Sequence, residues 1–175
     1  MRIVISGAGE VGFNLAKHLI EGGNDVVVID KDKDRISYVN EHLDCLVIEG
    51  EATNFDVLKQ SNMESAEIYV AVTDSDEVNM ISCLVVHSNF NVATKIARVR
   101  NIEYHKSNLF NNKITGFDYL VNPEIEAAKS IIRAVEYGAV SDIFVFDDTD
   151  IQLREVFVDK DVNIEGKTIE QLRKG

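Results

Sequence analysis

At 175 residues the sequence is long enough for one well-buried domain with a short appendage, and too short for two full α/β domains. Its composition, 45% hydrophobic and 27% charged with one proline and ten glycines, is that of a chain that folds and excludes collagen-like or long disordered tracts. A net charge of -12 sets up a field that repels phosphate backbones and anionic headgroups, so nucleic acid is not an expected partner.

No apolar run nears the ~18 residues of a membrane-crossing helix, and no direct membrane insertion is expected. The two cysteines, Cys45 and Cys83, lie in apolar stretches without a second cysteine or histidine at ligand spacing. Both read as small core residues, and no metal site is expected.

In chain order, residues 2–6, 25–30, 45–49, 68–73, 94–98 and 118–121 are short apolar runs that read as buried strands separated by helical patterns. Between the first two, Val11, Leu15, Ala16, Leu19 and Ile20 recur at three- and four-residue spacing, and Gly22-Gly23 stands where a left-handed cap is wanted. The next connection repeats the pattern with Ile36, Val39 and Leu43. Residues 75–90 do so with Val78, Ile81 and Val85 behind a capping, acidic start. This order predicts an α/β fold with a doubly wound parallel sheet of the Rossmann type.

After the sixth strand, Asn122-Pro123-Glu124 supplies a cap residue, a first-turn proline and a first-turn acid. The helix that follows carries Ile125, Ala127, Ala128, Ile131, Ile132, Ala134 and Val135 over more than half its circumference. Such a surface either fills a deep groove of its own chain or meets another subunit; a subunit contact is the expectation. From Phe144 the pattern restarts: a polar break at Asp147-Asp148-Thr149-Asp150, a strand candidate at 152–158 and a helix beginning at 168–173. The expected division is a nucleotide-binding domain over 1–140 and, over 141–175, a linker with the start of a second, C-terminal domain.

Directly after the first strand stands Gly7-Ala8-Gly9-Glu10-Val11-Gly12, which opens into the first amphipathic helix. In this context Gly7 allows a tight turn, Gly9 lets backbone approach a pyrophosphate, and Gly12 lets helix lie close on strand. The helix amino terminus adds free N–H groups and the positive end of its dipole. The second strand ends in Asp30, where a carboxylate accepts hydrogen bonds from a ribose diol and repels a 2′-phosphate, which favours NAD over NADP. Lys31 and Arg35 either soften that repulsion or are solvated charges. The loops Glu49-Gly50-Glu51-Ala52-Thr53 and Thr73-Asp74-Ser75-Asp76-Glu77 lie at strand carboxyl ends, where open sheets bind ligands, although the same residues serve ordinary turns and caps. Arg98 and Arg100 leave the fifth strand at alternate positions, within reach of phosphate or of an acidic surface.

The set Gly7 to Gly12, Val28-Ile29-Asp30, Gly50-Glu51-Ala52-Thr53, Ala71-Val72-Thr73-Asp74-Ser75-Asp76-Glu77-Val78-Asn79 and Ala97-Arg98-Val99-Arg100-Asn101 resembles the RCK/KTN family, specifically its Trk-type potassium-uptake regulatory subunits. Residues 1 to about 140 are similar to the nucleotide-binding domain. The rest, including Val162-Asn163-Ile164-Glu165-Gly166-Lys167-Thr168, resembles the opening of the C-terminal ligand-binding domain. The resemblance implies a cytoplasmic protein, peripheral at the inner face of the membrane, that binds NAD or NADH or else the adenine nucleotides ATP or ADP. It implies assembly as a homodimer or larger ring, and gating of an integral-membrane potassium transporter subunit. It places Asp30 and Lys31 near the adenosine ribose, Glu51, Ala52 and Thr53 on the adenine side, and Thr73 and Asp74 opposite the glycine loop. Glu51 departs from the family's more usual aspartate, which moves its charge by a methylene. The Pro123–Tyr137 stretch resembles the family's crossover helix.

The rival reading is the cofactor domain of an NAD-dependent dehydrogenase, because fold alone does not separate the two. Hydride transfer needs a positioned acid or base, yet His18, His42, His87 and His105 share no strand-end location. No catalytic residue is therefore expected.

Overall fold

The computed structural model describes residues 1–106, 116–137, 142–145, 152–155, 168 and 171. They fall into two units, Met1–Glu126 and Ala127–Gly175.

In the first unit six strands, β1 (Arg2–Ser6), β2 (Asp25–Asp30), β3 (Leu46–Glu49), β4 (Ile68–Ala71), β5 (Thr94–Arg98) and β6 (Tyr119–Val121), form one sheet in the order β3-β2-β1-β4-β5-β6. Every pairing is parallel, with Ile5 beside Val28 on one flank and Val70 on the other. The order reverses between β1 and β4, so the fold is the expected doubly wound Rossmann sheet with a switch point there.

Strand periodicity divides the core in two. Along β2, Val26 and Val28 face a layer with Ile3, Ile5, Ala16 and Val39, while Val27 and Ile29 face one with Val4, Leu58, Tyr69, Cys83 and Val86. The first layer holds α1 (Glu10–Glu21) and α2 (Lys33–His42); the second holds α3 (Phe55–Gln60) and α4 (Asp76–Asn89). Each fully buried valine or isoleucine adds roughly 1.5–3 kcal/mol, so the two layers supply most of the folding drive.

Helix starts follow local chemistry. Asp32 caps α2 by accepting from the Asp34 amide at 2.9 Å, Asn54 caps α3 through Asp56 at 2.8 Å, and Ser75 caps α4 through Val78 at 3.2 Å. Gly23 takes φ +77° just past α1, the left-handed exit expected of the glycine pair. Asn122 accepts from the Ile125 amide at 3.1 Å and starts α6 (Pro123–Tyr137) as its sequence announced.

The apolar stripe expected for α4 is displaced. Ile81 is exposed, and the buried positions are Asp76, Asn79, Ser82, Cys83 and Val86. Polar Asn79 and Ser82 turn inward because each finds hydrogen-bond partners there. Three short elements have no counterpart in the sequence reading: α3, a single 3₁₀ turn at Met63–Ser65, and α5 (Ile102–Lys106).

The second unit comprises the remainder of α6 and an antiparallel pair, β7 (Asp142–Val145) with β8 (Gln152–Glu155), in which Ile143 faces Arg154. The expected strand at 152–158 is described over its first four residues. Its remainder, the 162–167 stretch and most of the expected helix at 168–173 lie outside the described residues.

Candidate functional site

The loop leaving β1 needs glycine for three different reasons. Gly7 sits at φ +109°, and a Cβ there would stand 2.8 Å from the backbone of Val72 and Thr73. A Cβ on Gly12 would lie 1.8 Å from the Gly7 carbonyl oxygen, so the first turn of α1 closes directly on the loop. A Cβ on Gly9 would meet one atom, Nη1 of Arg35 at 3.7 Å; its bare side opens outward. No side chain caps α1 at Gly9, unlike α2, α3 and α4, and the first-turn amides of α1 point past the loop.

Asp30 does more than end β2. It is only 8% exposed; one carboxylate oxygen accepts the Ala8 amide at 2.6 Å and the other the Asp32 amide at 2.9 Å. Each oxygen retains a lone pair, so the group ties down the glycine loop and can still accept a hydroxyl.

Asp30, Lys31, Glu51, Ala52, Thr73 and Asp74 line a single cleft at the strand carboxyl ends. Asp32, Arg35, Gly50, Ser75 and Val78 also line it, and the glycine loop adjoins it through Ala8 and Gly9. Lys31 faces Glu51 at 3.6 Å, an exposed pair at one end of the cleft. Arg35 occupies the other end, 3.8 Å from Asp30, 3.8 Å from Asp32 and 3.9 Å from Asp74. Thr53, Arg98 and the loop residues Gly7, Ala8, Gly9, Glu10, Val11 and Gly12 are not among the lining residues, and Val11 lines a separate groove.

The β4 side of the cleft is held by Asn79. Its side-chain oxygen accepts from the Thr73 amide at 2.8 Å and hydroxyl at 2.7 Å, and its amide group donates to the carbonyls of Thr73 and Arg98. Arg100 completes the tie by donating to the Asp74 carbonyl, while Asp76 accepts the amides of Arg100 and Asn101. Glu77 sits just beyond; its own amide, the Ser75 hydroxyl and the Tyr104 phenol hold its carboxyl below the usual range. Asn79 is the residue that sequence reasoning did not single out for the site, and Arg35, read from sequence as either softening the Asp30 charge or solvated, lines the cleft.

Arg98 lies elsewhere, in an apolar groove on the α1 side of the sheet lined by Val11, Leu15, Val70, Val72, Ile96 and Val121. Its Nε is buried without a hydrogen-bond partner among the described residues. His18, His42 and His87 lie on α1, α2 and α4 and are not among the cleft's lining residues, and His105 falls in α5. Among the described residues no group of acidic, histidine or cysteine side chains is arranged to hold a metal, and no helix is long and apolar enough to cross a membrane.

Against this geometry, the model of the TrkA-N domain family matches residues 3–123. The Trk system potassium uptake protein TrkA of Halomonas elongata is 39% identical over 154 residues, 87% of this chain and 34% of that protein. The chain thus spans about a third of the length of such curated relatives. Among solved structures, the TrkA-N domain of the inner membrane protein ybaL from Escherichia coli superposes with a TM-score of 0.68 at 18% identity, covering 77% of this chain and 96% of that one. A GsuK channel structure bound to NAD gives a TM-score of 0.59 at 24% identity, covering 69% and 21%. At these identities the structural likeness speaks for the fold.

Proposed function

Because the chain belongs to the TrkA-N domain family, we propose that it is a nucleotide-binding regulatory domain, one that acts by occupancy and consumes nothing. The observation that carries this reading is a single cleft with a phosphate end, where bare Gly9 and the uncapped start of α1 meet, and a ribose end at Asp30. The ligand is NAD or NADH, with ADP and ATP sharing its adenosine and phosphates; the NAD in the GsuK channel structure supports this choice. Gly7, Ala8, Gly9, Glu10, Val11 and Gly12 cradle the phosphates, Asp30 and Lys31 take the ribose, Glu51, Ala52 and Thr53 border the adenine, and Thr73 and Asp74 flank the far side. Arg98 serves from the neighbouring groove.

The partner is an integral-membrane potassium transporter subunit, against which a homodimer or larger ring of this protein sits at the cytoplasmic face. The name of the relatives supports this partner. A switch needs two arrangements with different nucleotide affinity, and each tenfold preference shifts their balance by about 1.4 kcal/mol. Calorimetric titration of the chain with NAD, NADH, ATP and ADP is expected to show saturable binding without cofactor turnover. Steady oxidation of NADH with a small-molecule substrate would replace this reading with the dehydrogenase one.

A further inference from the structure

The three nitrogens of the Arg35 guanidinium each face a different carboxylate: Nη1 toward Asp30 at 3.8 Å, Nε toward Asp32 at 3.8 Å and Nη2 toward Asp74 at 3.9 Å. All three separations exceed hydrogen-bond length, so a planar fork with five donors stands among anions without a seated, bidentate partner. The same Nη1 is the one atom near the bare side of Gly9. Asp30 ends β2 and Asp32 lies in the turn after it, and Asp74 in the turn after β4, so Arg35 spans the switch point of the sheet.

From this placement we propose that Arg35 is the diphosphate-binding residue of the cleft, and that capture of a diphosphate draws it away from Asp74. The assignment rests on the nucleotide reading above. A diphosphate over Gly9 enters a cleft already lined by Asp30, Asp32, Asp74 and Glu51. Arg35 is the cation closest to that position, and its fork matches phosphate oxygens better than it matches three carboxylates at three different angles. Seating it there breaks the 3.9 Å ion pair with Asp74, whose turn stays held by Asn79 and Arg100. A nucleoside without phosphate leaves that pair in place.

The test compares adenosine with ADP on the 175-residue chain by calorimetry. Arg35 is 42% exposed, so Arg35→Gln is expected to fold. It should lower the ADP-to-adenosine affinity ratio by about ten- to a hundredfold, the span of lost charged hydrogen bonds. Arg35→Lys should fall between, keeping the charge and losing the fork. Asp74→Asn, which removes the competing carboxylate, should move the ratio the other way by about two- to fivefold. A ratio unchanged in Arg35→Gln, or lowered in Asp74→Asn, overturns this assignment alone. A wild-type chain that binds neither adenosine nor ADP overturns the nucleotide reading and this assignment with it.

Discussion

The Asp30 carboxylate accepts the Ala8 amide at 2.6 Å, joining the end of β2 to the middle of the glycine loop 22 residues earlier in the chain. Under the proposed nucleotide reading, one side chain thus shapes the phosphate end of the cleft while facing its ribose end. Asp30→Ala is expected to act twice. It leaves a buried amide unpaired, lowering stability by about 1–3 kcal/mol, and it removes a charged acceptor from the ligand, lowering NAD affinity by about 1.5–3 kcal/mol. Denaturant unfolding reads the first effect and calorimetry the second. A wild-type preference for NADP over NAD would contradict the ribose role.

Gly12→Val tests the loop from the other side. The new Cβ collides with the Gly7 carbonyl at a 1.8 Å separation, so α1 and the loop must part. Nucleotide binding is expected to be lost while circular dichroism shows most of the helix retained. Undiminished NAD affinity in a folded variant would remove the glycine loop from the site.

Asp118 should contribute to the acid sensitivity of the fold. Burial pushes its carboxyl up, but the Lys95 amide at 2.7 Å and ammonium at 3.0 Å outweigh that and hold it below the ordinary range. A depressed folded-state value means the contribution is complete above about pH 4 and is lost as pH falls through the lower folded value. Asp118→Asn is therefore expected to destabilise the fold at pH 7, where it leaves the buried Lys95 ammonium beside the Val92 carbonyl without a counter-charge, and to flatten the acid limb of the stability curve. Urea midpoints measured from pH 7 to pH 2.5 check this, with the wild-type and variant curves converging toward the acid end.

Helix α6 presents Ile131 at 64%, Ile132 at 53% and Val135 at 79% exposure. Under the proposed assembly these side chains meet a second copy, and replacing Ile131 and Ile132 with glutamate is expected to shift sedimentation toward monomer with nucleotide affinity preserved. A wild-type chain that stays monomeric at high concentration would sink the assembly.

The six strands, the glycine loop and the capped start of α6 were legible because each is a contiguous run whose chemistry is local. Asn79 was not, and Arg35 was legible only as a charge near Asp30, softening it or solvated. Asn79 is informative only once Thr73 and the Arg98 carbonyl are brought to it, and Arg35 only once Asp74 stands across the cleft. The buried face of α4 was misjudged for the same reason, since a hydropathy pattern counts an asparagine and a serine as outward whatever they bond. Helix α3, six residues long, is too short to show a period at all.

The reversal of strand order also bears on how the protein is made. Strands β1 and β4 are neighbours in the sheet yet are separated by nearly the whole of β2, β3 and their helices in the chain. Loop closure of that length is entropically slow, and the cleft has no far wall until β4 has docked. A nascent or partly unfolded chain therefore carries the glycine-loop sequence without the cleft. Under the proposed nucleotide reading, ligand affinity belongs to the finished sheet, and nucleotide in the surroundings stabilises only molecules that have completed it.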